Sequence, residues 1–284
     1  MLKPICLITG ATEGIGRATA IGLAAKGFTV VLAARNAAKA EAVVKEIEAI
    51  TGRCDAEYIT ADLRSLSEVR ALSETFHRRY PRLDVLINNA GIFSAARIVT
   101  GDGFEATYQV NYLSQFYLTH LLLDALKHSN QGRIINLSSN AYSAGKFDPG
   151  NLQSEKRFST IASYAASKLL MLMFTVELAD RLRNTRVAAN AVHPGVVNTH
   201  MLKSATGLFK LIAILATPFA VAPEKGAATS IYLASSPDVQ GISGKYFTRC
   251  KEAAIKTAFN TPKNRELLWN LSMQSLRLAE TLGG

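Results

Sequence analysis

Strand-like apolar runs recur along the chain at 5–9, 28–33, 56–60, 83–88, 132–138, 187–192 and 245–247, with longer stretches of helical spacing between them. Short apolar runs bounded by turn residues read as buried strands, and their alternation with helices reads as a series of βαβ units. Such units join parallel strands and cover both faces of the sheet. The pattern therefore predicts an α/β fold, a doubly wound parallel sheet of Rossmann type. Helix signals agree with it. Ser65-Leu66-Ser67-Glu68 has the form of a capping box, and Thr261-Pro262 sets Pro at the first position of a C-terminal helix over 261–280. No Pro-, Gly- or Ser-rich linker interrupts the alternation, so residues 1–284 are expected to form one domain.

Composition narrows the class. A hydrophobic content of 48% suffices for a sheet covered on both faces. The formal net charge of +10 raises the question of nucleic acid, but the cations late in the chain are scattered and form no dense run or nucleic-acid motif. A solvated surface explains them first, and attraction of an anionic substrate or lipid surface second. No nucleic-acid partner is expected. Cys6, Cys54 and Cys250 have neither redox nor metal spacing, and the five histidines have no ligand spacing. The expectation is reduced thiols, no metal, and a cytoplasmic protein, with peripheral membrane contact left open. The first strand starts so near Met1 that no signal peptide or anchor is expected before it.

Two segments carry chemistry. The first is Thr9-Gly10-Ala11-Thr12-Glu13-Gly14-Ile15-Gly16, between the first strand and the first helix. Glycines there let the backbone approach a pyrophosphate, which rests on the unpaired N–H groups of a helix start. The spacing is G-x-x-x-G-x-G, distinct from the commoner G-x-G-x-x-G. The second is Tyr164-Ala165-Ala166-Ser167-Lys168, at the head of a stretch with no Gly or Pro before Asn184. On a helix, residues four apart share a face. A phenol titrates near about 10, and an adjacent ammonium favours the phenolate, which brings its proton into working range.

These segments resemble the classical short-chain dehydrogenase/reductase family, and the resemblance extends over nearly the whole chain. The family's T-G-x-x-x-G-x-G stands at Thr9 to Gly16, its N-N-A-G at Asn88-Asn89-Ala90-Gly91, and its Y-x-x-x-K at Tyr164 to Lys168. Its asparagine matches Asn111, its serine Ser139, and its Pro-Gly turn Pro194-Gly195, with Val197 and Thr199 following. Within the family, Leu152 to Lys156, His193-Pro194-Gly195 and Leu268-Trp269-Asn270 look most like the retinol-dehydrogenase-like branch. The resemblance implies that Ser139 steadies a carbonyl oxygen and Tyr164 exchanges a proton with it. It further implies that Lys168 lowers the tyrosine pKa and holds the nicotinamide ribose, while Asn111 anchors a water relay. Thr9, Gly10, Gly14, Ile15, Gly16, Asn88, Ala90, Gly91, Pro194, Gly195, Val197 and Thr199 are implied cofactor contacts, with Asp62-Leu63 at the adenine. Ser138 is a weaker claimant than Ser139 for the serine role.

The second strand ends in Arg35-Asn36 where a carboxylate would select NAD. A guanidinium fork suits a 2′-phosphate, so NADP(H) is expected, with Lys39 and Arg17 as supporting cations. The substrate side is less defined. Asn140 to Ser163 is longer than in compact family members and carries Tyr142, Phe147 and Phe158 as expected pocket lining. Residues 200–222 are expected to form an apolar lid or to rest on a lipid surface, since their apolar run is too short for a span. Both walls point to a bulky apolar aldehyde, ketone or alcohol. The oligomeric state stays open between monomer and homo-dimer or tetramer. Two other readings use the same fold: a dinucleotide-binding regulatory or scaffold protein without turnover, and an epimerase or dehydratase.

Overall fold

Strand residues alternate between two cores, which is what parallel strands covered on both faces require. Leu7, Val31, Leu86 and Ile134 enter one core. Their neighbours Cys6, Ile8, Val30, Leu32, Val85, Ile87 and Ile135 enter the other. The computed structural model describes residues 3–195 and 222–279. Its strands are β1 Ile5–Thr9, β2 Thr29–Ala34, β3 Ala56–Thr60, β4 Val85–Asn88, β5 Arg133–Leu137, β6 Ala188–His193, β7 Tyr246–Thr248 and β8 Lys251–Ala253. They form one sheet in the order β3-β2-β1-β4-β5-β6-β7-β8, parallel except for the β7–β8 pair. The seven expected strands are all present, and β8 is an addition at the edge.

Among the described residues the α-helices are α1 Gly14–Ala25, α2 Ala37–Thr51, α3 Leu66–Arg79, the short α4 Ala106–Tyr108, α5 Ser114–Lys127, α6 Thr160–Arg181, α7 Pro223–Ser235 and α8 Pro262–Leu276. A π-helical turn, Gln109–Leu113, joins α4 to α5. The expected capping box at α3 forms by half. Ser65 accepts from Glu68 N–H at 3.3 Å, but the Glu68 carboxylate turns to the N–H of Asp62 at 2.9 Å. The helix α8 opens as expected, with Thr261 accepting from Asn264 N–H and Pro262 following. It ends at Leu276 because Arg277 turns left-handed, φ +52°. Helix α6 is long and apolar enough to cross a membrane, yet 72% of its apolar window is buried, as in a core helix. The expected lid lies outside the described residues apart from Ala222.

Strand order reverses direction between β1 and β4, and in open α/β sheets ligands bind at the carboxyl ends of the strands beside such a switch point. The glycine turn leaves β1 on one side of it, and Asn89 to Gly91 leave β4 on the other.

Candidate active site

The two turns interlock at backbone contact. Thr9, fully buried, accepts with its Oγ1 from the N–H groups of Asn89 and Ala90, both at 2.9 Å. Asn89 returns two bonds, its Nδ2 donating to the carbonyls of Thr9 at 2.8 Å and Gly10 at 3.0 Å. Gly10 and Gly14 take φ of +66° and +52°, which L side chains rarely adopt. A Cβ on Gly16 would lie 2.3 Å from Gly10 O and 2.5 Å from Asn89 Nδ2, so this position admits glycine alone. Ile15 packs on the second core and fixes the first turn of α1. The N-cap of that helix, Glu13, makes no side-chain cap bond and pairs instead with Lys39. The leading N–H groups of α1 thus receive no side-chain cap from Glu13, and a glycine turn lies beside them. This arrangement fits a pyrophosphate.

Asn88, an expected cofactor contact, has its side chain turned inward, which leaves its main chain as the part that could meet a cofactor. It is fully buried and its Nδ2 donates to Thr119 Oγ1 and Asn136 Oδ1, which ties β4 to α5 and β5. Its neighbour Asn89 is the one that reaches the glycine turn. The motif alone gives Asn89 no role; the period of two at a strand end is the signal that separates the pair.

Of the four expected catalytic side chains, Ser139, Tyr164 and Lys168 follow β5 in the chain and Asn111 precedes it. Ser139 caps a 3₁₀ turn, Asn140–Ala144, and its Oγ accepts from Ala141 N–H at 3.2 Å. Its hydroxyl is near enough to the Tyr164 phenol to favour the phenolate. Ser138 points the other way, buried and donating to Lys168 O at 2.8 Å. Lys168 is buried, and its Nζ donates to Leu137 O at 3.0 Å and lies 5.6 Å from the centre of the Tyr164 ring. The Phe93 ring packs on the other flank of Tyr164, with centroids 5.4 Å apart. Asn111, on the π-helical turn, accepts from Ile92 N–H at 2.7 Å and donates to Ile92 O and Ser167 Oγ, both at 3.0 Å. Gly91 bridges the group: its missing Cβ would stand 3.5 Å from both Asn111 Oδ1 and Lys168 Nζ.

The electrostatics differ from the expectation that Lys168 draws the tyrosine down. Burial pushes Tyr164 up to about 12, and the neighbouring Ser139 hydroxyl is what opposes it. Burial also pulls Lys168 down, to about 8. A shared low-dielectric site disfavours the charged form of both groups. Tyr164 therefore holds its proton firmly at neutral pH, while Lys168 remains mostly an ammonium.

At the ribose end, Arg35 is exposed and has no hydrogen-bond or ion-pair partner among the described residues. Its charge helps lower Asp62. Burial pushes that carboxyl up, but the Arg64 hydrogen bonds and charge, with Arg35 behind them, outweigh it. The two supporting cations are already engaged, Lys39 with Glu13 and Arg17 with Glu46. Asn36 caps α2, accepting from Lys39 N–H at 2.9 Å. Leu63 is buried, and its carbonyl accepts from Ser114 Oγ at 2.6 Å.

Pro194 and Gly195 follow β6, Gly195 at φ +88°, while Val197 and Thr199 lie outside the described residues. His193 accepts from Asn140 N–H at 3.3 Å, and burial, helped by the Arg249 charge, pulls it down to about 4. Of the expected pocket aromatics, Tyr142 and Phe147 belong to the core instead, and Phe158 is half-buried. Both join the core because α6 packs on the turn that carries Tyr142: a Cβ on Gly145 would stand 2.5 Å from Ala165 O. Among the described residues no cluster of three His, Cys, Asp or Glu side chains could hold a metal.

The short chain dehydrogenase family model matches residues 4–207. Retinol dehydrogenase 12 of Mus musculus is 40% identical over 272 residues, which cover 96% of this chain and 86% of the relative. Among solved structures, an uncharacterized protein of Mycobacterium Paratuberculosis superposes with a TM-score of 0.76 at 30% identity, covering 97% of this chain and 94% of that one. The Pseudomonas aeruginosa RhlG/NADP active-site complex superposes with a TM-score of 0.69 at 27% identity, covering 86% and 93%.

Proposed function

Because this chain belongs to the short-chain dehydrogenase family, in its retinol-dehydrogenase-like branch, we propose that it is an NADP(H)-dependent oxidoreductase acting on a bulky apolar aldehyde, ketone or alcohol. The observation that carries the proposal is the Tyr164 phenol with buried Lys168 Nζ 5.6 Å from its ring centre, on the side of the sheet where Gly91 meets Asn111 and Lys168.

A bound nicotinamide supplies or accepts the hydride. The protein's part is to hold the oxygen and move its proton. In reduction, the Ser139 and Tyr164 hydroxyls converge on the carbonyl oxygen and stabilise its developing negative charge. Tyr164 then transfers its proton to that oxygen and is left as a phenolate. The Lys168 ammonium stabilises this phenolate until a solvent proton restores the phenol. Oxidation of an alcohol runs the same transfers backwards. A phenol held near 12 suits the acid role directly. The base role needs a lowered pKa, which cationic charge brought beside it can supply.

Arg35, with no partner of its own at the end of β2, supports NADP(H) over NAD(H), as does the NADP in the related RhlG complex. The retinol in the relatives' names supports an extended apolar substrate. A cytoplasmic or membrane-peripheral site of action accords with such a substrate and with the net charge of +10.

The test is NADPH oxidation over a panel of aldehydes and ketones, with Tyr164→Phe beside the wild type. The variant should bind NADPH normally and lose turnover by roughly a hundredfold or more. Wild-type kcat in Tyr164→Phe, with chemistry shown to limit the rate, would remove Tyr164 from the mechanism.

A further inference from the structure

A π-helical turn widens the helix and leaves carbonyls without their usual N–H partners four residues on. In the turn that carries Asn111, one side-chain amide also reaches two of the turn's carbonyls. Gln115 is fully buried one turn beyond Asn111. Its Nε2 lies 3.1 Å from Val110 O and 3.4 Å from Asn111 O. The same nitrogen lies 2.6 Å from Ala90 O, on the turn after β4. Its Oε1 faces Thr9 Oγ1 at 3.5 Å, at the root of the glycine turn. Three segments far apart in the chain thus converge on one amide. A space-filling role alone would favour an apolar side chain here, because an amide without partners costs free energy when buried.

We propose that Gln115 is a positioning residue of this active site. It holds the Asn111 turn and the Ala90 carbonyl in register, so that Asn111 stays against Ile92 and Ser167, beside Lys168, while the glycine turn stays closed. The proposal rests on the oxidoreductase reading above and assigns it a residue that makes no contact with substrate. Gln115 acts through Asn111, and this separates positioning from simple support of the fold.

The experiment is a double-mutant cycle of Gln115→Met with Asn111→Ala, with Gln115→Glu and Tyr164→Phe run in parallel. Three quantities are read: kcat at saturating NADPH and carbonyl substrate, the NADPH dissociation constant by fluorescence, and hydrogen exchange over residues 88–93 and 106–118. Gln115→Met should lower kcat roughly ten- to a hundredfold, the cost of misplacing a site by about 1 Å, and weaken NADPH by a smaller factor. Exchange should quicken in both segments. In the Asn111→Ala background the same change should cost kcat less than about twofold, because residues that act as a unit are not additive.

Equal losses in both backgrounds, or wild-type kcat and exchange in Gln115→Met, overturn the proposal. Gln115→Glu keeps the shape without the two donors and should behave like Gln115→Met; it carries the cycle if the methionine variant does not fold. Failure of both to fold would make Gln115 a folding residue and end the proposal. If Tyr164→Phe is fully active, or if no carbonyl is reduced, the oxidoreductase reading fails, and exchange and NADPH binding still decide whether Gln115 couples the turns.

Discussion

Replacing Arg35 with Asp tests the cofactor assignment where the structure is most explicit. Arg35 is exposed at the carboxyl end of β2, with no hydrogen-bond or ion-pair partner among the described residues, whereas Lys39 and Arg17 are paired with Glu13 and Glu46. The substitution therefore breaks no structural bond seen in the fold. A hydrogen bond to a charged group contributes about 1.5–3 kcal/mol. A carboxylate in place of the guanidinium adds a repulsion of about 1 kcal/mol at solvent-exposed distances. Together these predict a loss of about 2.5–4 kcal/mol for NADPH, or roughly 70- to 900-fold in its dissociation constant.

NADH has no 2′-phosphate, and the new carboxylate can accept from its ribose hydroxyl, so its affinity should hold or improve. Stability should move by no more than about 0.5 kcal/mol, as for a surface change without partners. The assay is fluorescence titration with both cofactors, followed by initial rates over a concentration series of each. A loss that is equal for NADPH and NADH would refute the reasoning, since only the phosphate distinguishes them. The loss should also shrink with added salt, because the contact is exposed.

Carbonyl reduction should be level in rate below about pH 8 and fall above it, as Lys168, pulled down to about 8 by burial, loses its proton while Tyr164, near 12, keeps its own. A kcat profile level from about pH 6 to 10 would exclude Lys168 as the titrating group. The same shift has a consequence for stability: Lys168 in the fold titrates below its free value of 10.5, so the unfolded chain binds more protons between those values. Its contribution to stability therefore rises with pH across that window. Trp269→Ala should lower the thermal midpoint. The ring packs 4.9 Å from Phe116 and 6.1 Å from Phe174, and the Arg181 guanidinium lies 4.3 Å from its centre. A loss of about 3–5 kcal/mol converts to roughly 6–15 °C by calorimetry; a drop under about 2 °C would mean that α8 is not clamped through this residue.

The sequence alone determined the elements and their order, because strand and helix periodicities are local properties and buried parallel strands leave conspicuous apolar runs. It also determined the spacing of Tyr164 and Lys168 and the glycines of the first turn, since each depends on a few residues of one segment. What escaped it depended on distant parts of the chain. Strand β8 has no apolar alternation in Lys251–Ala253, and the turn before it places Arg249 and Cys250 at φ of +51° and +59° without the Gly or Asn that usually marks such a turn. Asn88 and Asn89 are indistinguishable as letters, and only the packing of β4 between β1 and β5 sends one inward and the other to the glycine turn. The tyrosine–lysine pair was legible, but its electrostatics were not, because burial comes from the packed site rather than from the spacing. Gln115 belongs to no motif. Its role arises where Thr9, Ala90 and Val110 meet, and only the folded chain brings their oxygens within reach of one amide.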